Sequence, residues 1–395
     1  MIAALQFKAL RRSDAVLTVC VAALLAAGVA FIFSAGYRGD ALPAANLYRK
    51  QLLWCAAGLA SYLVMAAADY RIWIRNAWYV YAVALAALAL VEVPGLGAAR
   101  YGATRWLDLG PIQTQPSEPA KIGVILVLAR VLGGPGRDVE SPLCLALALA
   151  AAGLPVLLIL AQPDLGTAMV IPPVTMAVMF VAGVSGAALR RLALAGLLVV
   201  LIVVAAAVVP ERLGCDRDQC DRIAGMVGLS PYQRMRIMVF LDSDLDPLGA
   251  GWNKVQSQIA VGSGGLWGKG YLHGTQNLLG FIPRTVAPTD FVFSVIAEET
   301  GFVGSATLIG LYLAVCFAAL RAAVIAPDKP GRLLCVGLAT LLFCHVFINI
   351  AMTIGLMPIT GLPLPLVSYG GTFMVGTMAA LGMIQNVHAQ GRQPR

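Results

Sequence analysis

The chain has 395 residues, of which 59% are hydrophobic and only 12% charged, with 28 basic against 20 acidic side chains. Soluble globular chains carry about a quarter Asp, Glu, Lys and Arg, so a cytosolic enzyme, a disordered regulator and a nucleic-acid-binding domain are all excluded. The net charge of +8 is scattered through short breaks between apolar runs, which is the pattern that orients a membrane protein.

Apolar runs of about 20 residues bounded by charge, Pro or Gly predict membrane helices. Ten are expected, at 14–36, 49–68, 74–94, 117–134, 143–161, 164–183, 188–209, 292–321, 332–354 and 365–388. The fold class is therefore an all-α polytopic membrane protein, a single membrane domain over 1–395. No small-residue cleavage site follows the first run, so it is expected to stay as an anchor. With the N-terminus inside, fourteen of the 28 basic residues fall on the cytoplasmic face, among them Arg71, Arg75, Arg130, Arg190, Arg321 and Arg392. Six fall in the short outer segments, so both termini are expected to be cytoplasmic.

Residues 210–291 form one long outer, periplasmic loop. Loops this long are functional or disordered, and its apolar, Gly-rich later half (Gln258 to Gly274) fits re-entrant or interfacial helices. No internal repeat stands out, so an inverted-repeat transporter gains no support from symmetry. Six of the eight cysteines lie in or beside spans and read as small apolar side chains. Cys215 and Cys220 lie in the outer loop, where an oxidising compartment would permit a local disulfide; two free thiols or a metal site are the alternatives.

Ionisable groups at membrane depth are costly and are functional candidates by default. Arg105 lies in Thr104-Arg105-Trp106-Leu107-Asp108, shortly before Gln115-Pro116-Ser117-Glu118-Pro119-Ala120-Lys121. Ser117 is expected to cap the fourth span, and Glu118 and Lys121, three apart on a helical face, to pair. Asp164 sits at a helix N-terminus, where the macrodipole favours its charge. Asp290 opens the eighth span; partial burial there would raise its pKa and make it a better proton acceptor. Helical geometry places Glu298 about 80° round from Asp290 and Glu299 on the opposite side, so Glu298 reads as a structural hydrogen-bond partner. Pro358, Pro363 and Pro365 forbid regular helix before Ser368-Tyr369-Gly370-Gly371, and such backbone must be buried in protein or line a cavity. The result is an outward-facing, partly hydrophobic cavity with acidic and basic residues at its rim, suited to a lipid-linked anionic substrate and acid–base chemistry.

In this order, and together with Tyr232-Gln233-Arg234, Asp246-Pro247-Leu248-Gly249-Ala250-Gly251, Gln256 to Gly265, Thr289-Asp290-Phe291 and Ala297-Glu298-Glu299, these segments resemble the SEDS family of shape, elongation, division and sporulation proteins. The stretch Asn349 to Gly361 is more similar to the RodA-type elongation branch than to the FtsW-type division branch. The resemblance implies a ten-span fold and a peptidoglycan glycosyltransferase of the bacterial inner membrane that polymerises lipid II on the periplasmic side. It also implies a class B penicillin-binding protein as transpeptidase partner within the elongation machinery. The family's essential aspartate falls on Asp290, and its other sensitive positions on Arg105, Glu118, Lys121 and Asp164, with Arg234 an addition. A further basic position falls on Arg49 or Lys50. The segment Pro283 to Asp290 departs from the family pattern in being two residues longer and lacking a His.

These residues support direct displacement: Asp290 takes the proton of an acceptor sugar hydroxyl while Arg49 or Lys50, Arg105 and Arg234 stabilise the departing polyprenyl diphosphate. No dedicated metal motif is visible, although a divalent ion could assist the diphosphate. A lipid II flippase and a non-catalytic scaffold for the penicillin-binding protein are the rival functions.

Overall fold

The computed structural model describes residues 13–37, 45–100, 103–108, 110 and 113–392. Its helices are α1 (Ala15–Gly36), α2 (Ala45–Ala67), α3 (Tyr70–Arg75), α4 (Ala77–Val91), α5 (Ser117–Gly133), α6 (Pro142–Ala161), α7 (Leu165–Ala182) and α8 (Gly186–Arg212). They continue with α9 (Arg217–Met226), α10 (Pro231–Leu241), α11 (Ala250–Ser263), α12 (Thr275–Leu278), α13 (Val292–Ile325), α14 (Lys329–Thr353) and α15 (Gly371–Gly391). Every predicted span lies on helix. Seven helices are long and apolar enough to cross a membrane: α1, α2 from Leu47, α6, α7, α8, α13 and α14.

The boundaries differ where local chemistry overrides hydropathy. The predicted 74–94 span is two helices, because Asp69 caps α3 and the Asn76 amide bonds back to the Ile72 carbonyl to end it. The predicted 365–388 span begins only at Gly371, after the prolines. Pro116, not Ser117, holds the cap position of α5, and the Ser117 hydroxyl has no partner. The all-α expectation also needs correction. Strands β1 (Gly97–Arg100), β2 (Ala103–Asp108) and β3 (Gln113–Thr114) form a small antiparallel sheet. Too short for a hydropathy window to register, β2 follows the period-2 rule that sends alternate side chains to one face, which buries Leu107 and half-buries Arg105.

The mostly buried α14 lies at the centre, packed against α5, α7 and α13. α2 runs alongside α15, with Gly58 against Met374 and Met378, and Gly382 against the Tyr62 backbone. At one end of the bundle Asp328 caps α14 and binds the Tyr70 hydroxyl (2.7 Å) and Arg71 (2.8 Å). α8 is peripheral: its apolar side chains are largely exposed, and it meets the rest mainly through α9 and α10.

α13 is broken at Gly301 (φ 66°, ψ −160°), a conformation that favours glycine. A break inside a helix orphans backbone groups, and the loop after α11 takes them up. Phe302 N donates to the Gly265 carbonyl (2.9 Å) and Val303 N to that of Leu266 (3.1 Å). Lys269 N and Gly270 N donate to the carbonyls of Glu298 and Glu299 (3.0 Å each). The buried Glu298 carboxylate accepts from Lys269 Nζ (2.6 Å) and Gln276 N (3.0 Å), which is the structural partnership expected of it.

α1 crosses the Pro-rich turn at Gly28, where a Cβ would lie 2.5 Å from the Leu366 carbonyl oxygen and 2.9 Å from Val367 Cα. Gly28→Val is expected to lower the melting temperature of the detergent-purified protein by several degrees, since overpacking costs roughly 1–3 kcal/mol. Gly196→Val, in open space on α8, is expected to leave it unchanged.

Candidate active site

Asp290 ends a tight turn whose amide donates to the Val286 carbonyl (3.0 Å), two residues before α13. The turn is anchored on one side by an apolar cluster of Ala35, Ala260, Ile282, Ala287, Phe291 and Val295. On the other side it is bonded to the Pro-rich turn. The buried Asn349 of α14 donates to the Asp290 carbonyl (3.0 Å) and the Leu362 carbonyl (2.7 Å). Tyr369 N donates to the Pro288 carbonyl (2.8 Å), and the Ser368 hydroxyl to that of Thr289. Two segments without regular structure are thus fixed to each other by main-chain acceptors.

The Asp290 side chain is half-buried. Burial pushes its carboxyl above the ordinary aspartate range; the Arg236 guanidinium, a Thr289 hydrogen bond and Arg105 pull it back, and the Asp164 charge raises it further. Gly361 (φ 77°) occupies the space between carboxylate and guanidinium. A Cβ there would lie 3.5 Å from Asp290 Oδ2 and 3.7 Å from Arg236 Nη1, so these two atoms are within about 7 Å of each other, the sum of the two contacts.

Tyr232 connects the cations. The Arg236 guanidinium lies 4.6 Å from its ring centre and that of Arg105 5.8 Å. Arg236 also donates to the Tyr232 hydroxyl and to the Ile359 carbonyl (2.9 Å). Arg105 donates to the Pro163 carbonyl and approaches Asp164 to 4.0 Å. Asp164 caps α7 through Thr167 N (3.2 Å) and the Thr167 hydroxyl (2.9 Å), and accepts from Gln115 (3.3 Å). Its predicted helix-terminal position and its place beside Arg105 therefore coincide.

Lys121, almost wholly buried, donates to Glu118 (2.9 Å), the pair expected from their spacing, and contacts His345 Nε2 at 2.8 Å. His345 is one turn of α14 before Asn349, so the two polar clusters share a helix face. A cavity lined by Glu118, Ile122, Leu341, His345, Pro365 and Phe373 opens beside the pair.

Three expectations need correcting. Arg234 does not face this cluster: it is buried against α8 and α9, with Glu211 at 2.7 Å and Asp221 at 2.9 Å. Tyr232 and Arg236 are four apart and share a helix face, whereas Arg234 lies between them on another; that spacing was the readable signal. Arg49 and Lys50 are exposed on α2, with no hydrogen bond or ion pair to the Asp290 cluster among the described residues. Cys215 and Cys220 are separate thiols. Asp216 caps α9 between them, and the Cys220 thiol faces the Cys215 carbonyl at 3.6 Å. Asn349, His345, Tyr232 and Arg236 had not been assigned roles from the sequence. Among the described residues no three Asp, Glu, His or Cys side chains gather closely enough to cage a metal ion.

This fold and site define a family. The chain belongs to the FtsW/RodA/SpoVE cell cycle proteins, whose model matches residues 14–393. Among individual relatives, the peptidoglycan glycosyltransferase MrdB of Escherichia coli K12 is 41% identical over 345 residues, spanning 87% of this chain and 86% of that protein. The peptidoglycan glycosyltransferase RodA of Treponema pallidum is 32% identical, over 95% and 98% of the two chains. Of solved structures, a chain of a peptidoglycan synthase complex, described as coordinating polymerization and crosslinking, superposes with a TM-score of 0.75 at 34% identity, over 97% of this chain and 99% of that one. An Asp-to-Ala mutant of the Thermus thermophilus rod shape determining protein RodA superposes with a TM-score of 0.68 at 29% identity, over the same shares.

Two measurements check this geometry. Arg234→Ala is expected to destabilise the α8–α9–α10 corner by about 1–3 kcal/mol, the usual cost of orphaned charged hydrogen bonds, and to lower the melting temperature. For Asp290, folding raises the pKa, so the ionised form is disfavoured in the native state and its cost is present above the folded value. Asp290→Asn is therefore expected to hold or raise the melting temperature at pH 7, and to lose that advantage as the pH falls below the unfolded aspartate value.

Proposed function

We propose that this protein is a peptidoglycan glycosyltransferase of the bacterial inner membrane that polymerises lipid II during elongation. The observation that carries the reading is the Asp290 carboxylate, partly desolvated and rigidly held, with the guanidinium groups of Arg236 and Arg105 nearby. Ten spans, both termini in the cytoplasm and the 210–291 segment on the periplasmic side complete the topology. A class B penicillin-binding protein is the partner.

The chemistry is an in-line displacement. The Asp290 carboxylate takes the proton of the acceptor sugar hydroxyl; that oxygen forms a bond to the anomeric carbon of the donor; the carbon–phosphate oxygen bond breaks and its electron pair leaves on the polyprenyl diphosphate. Asp290 then returns its proton to solvent. A carboxyl with a raised pKa is a stronger base when ionised, and general-base assistance contributes about 10²–10⁴-fold. Arg105 faces the charge that develops on the leaving group. Glu118 and Lys121 neutralise each other and shape the cavity beside α14, whose apolar lining suits a polyprenyl chain. Asp164 orients Arg105 while capping α7.

The polar groups gather where α5, α7 and α13 begin and α14 ends. That clustering supports chemistry at one face over lipid II flipping, which needs a polar route along the bundle. It also supports catalysis over a purely scaffolding role.

Asp290→Asn is expected to abolish glycan-strand formation from lipid II by the purified protein with its partner. Arg105→Ala should slow turnover more than Arg75→Ala, a change at the opposite end of the bundle. Full polymerisation by Asp290→Asn would remove the aspartate as base, and equal effects of the two arginine changes would remove the assigned active face.

A further inference from the structure

Arg236 differs from its neighbours in its partners. Arg234 has two carboxylates and Arg105 approaches Asp164, yet Arg236 has no Asp or Glu within ion-pair distance among the described residues. It is half-buried, and its guanidinium is held by a carbonyl, a phenol and an aromatic face. These contacts fix its plane without neutralising its charge. A partly desolvated cation so arranged lacks a counter-ion, and a planar guanidinium matches phosphate oxygens in a bidentate fork.

The surroundings determine where that counter-ion sits. Arg105 lies on the same Tyr232 ring, so two positive groups converge on one locus. Gly361 leaves open the space between Arg236 and Asp290, where any side chain would intrude. Arg236 also lines a cavity with Pro163, Met169, Ile237 and Pro358, whose apolar walls exclude water from the pair. The carboxylate that accepts a proton and the cation awaiting an anion therefore face one slot, with no protein anion filling it.

We propose that Arg236, braced by Tyr232, is a substrate-contacting residue that binds the diphosphate of the lipid-linked donor and of the polyprenyl diphosphate product, acting with Arg105. This deepens the glycosyltransferase reading and rests on it for the identity of the ligand. Arg234, by contrast, is a structural brace. Tyr232 is a positioning residue: it fixes the plane of one guanidinium and faces the other.

The test compares undecaprenyl diphosphate with undecaprenyl monophosphate as ligands of the full-length protein in lipid nanodiscs. Wild type should prefer the diphosphate. Arg236→Ala should reduce that preference by roughly 10–100-fold, the value of a charge-assisted bidentate contact. Arg236→Lys should retain part of it, because charge survives and the planar fork does not. Arg234→Ala should lower the melting temperature and leave the preference in place. A wild type that does not discriminate, or an Arg236→Ala protein of unchanged melting temperature that keeps the full preference, overturns the proposal. Asp290→Asn separates this from the catalytic reading. If it polymerises normally while Arg236→Ala loses the preference, the base assignment fails and the diphosphate contact stands. If it is inactive while Arg236→Ala keeps the preference, the reverse holds.

Discussion

Asn349 makes the contact on which the rest of the site depends. Its one amide group donates to the Asp290 carbonyl and the Leu362 carbonyl, joining two stretches of backbone that cannot satisfy themselves. In a low-dielectric interior an unpaired peptide group costs several kcal/mol. Irregular chain is therefore tolerated there only when something else completes its hydrogen bonding. The prolines that break the chain between Thr353 and Gly371, the glycine that breaks α13 and the turn before Asp290 each create such a need. Asn349, Ser368, Tyr369 and the backbone of residues 265–270 meet it. The catalytic geometry follows from this completion, because each bond also fixes the position of the carboxylate or the wall opposite it.

The cations obey a related rule. A guanidinium in this environment must find an acceptor, a counter-charge or an aromatic face. Arg234 takes carboxylates and becomes part of the frame. Arg105 takes carbonyls and approaches Asp164. Arg236 takes a ring and a carbonyl, and retains its net charge for use. Three arginines in similar sequence surroundings thus acquire three different roles according to what each meets.

Much of this was legible beforehand. Long apolar runs located the helices because hydropathy over 20 residues is a strong signal, and the Glu118–Lys121 pair followed from helical spacing. Asp164 and Asp290 announced themselves as acids at helix starts. The misreadings are local. The β1–β3 sheet is too short for pattern recognition, and Asn76 ends α3 through a side-chain bond that hydropathy ignores. The choice between Arg234 and Arg236 needed the face of α10 that packs on α8 and α9, which one sequence does not supply. The role of Asn349 was hidden because its partners are carbonyls 59 and 13 residues away, and every residue carries a carbonyl.

The interlock at Gly301 has a consequence for biogenesis. The chain emerges from the ribosome in order, so the segment 264–270 is made before the broken turn whose peptide groups it completes. Until residues 298–303 follow, that segment has no seat. Asp290 in turn has no opposite wall until the prolines near residue 360 arrive. Nearly the entire polypeptide must be synthesised before the reaction centre exists, which keeps a partly inserted chain from acting on lipid substrates.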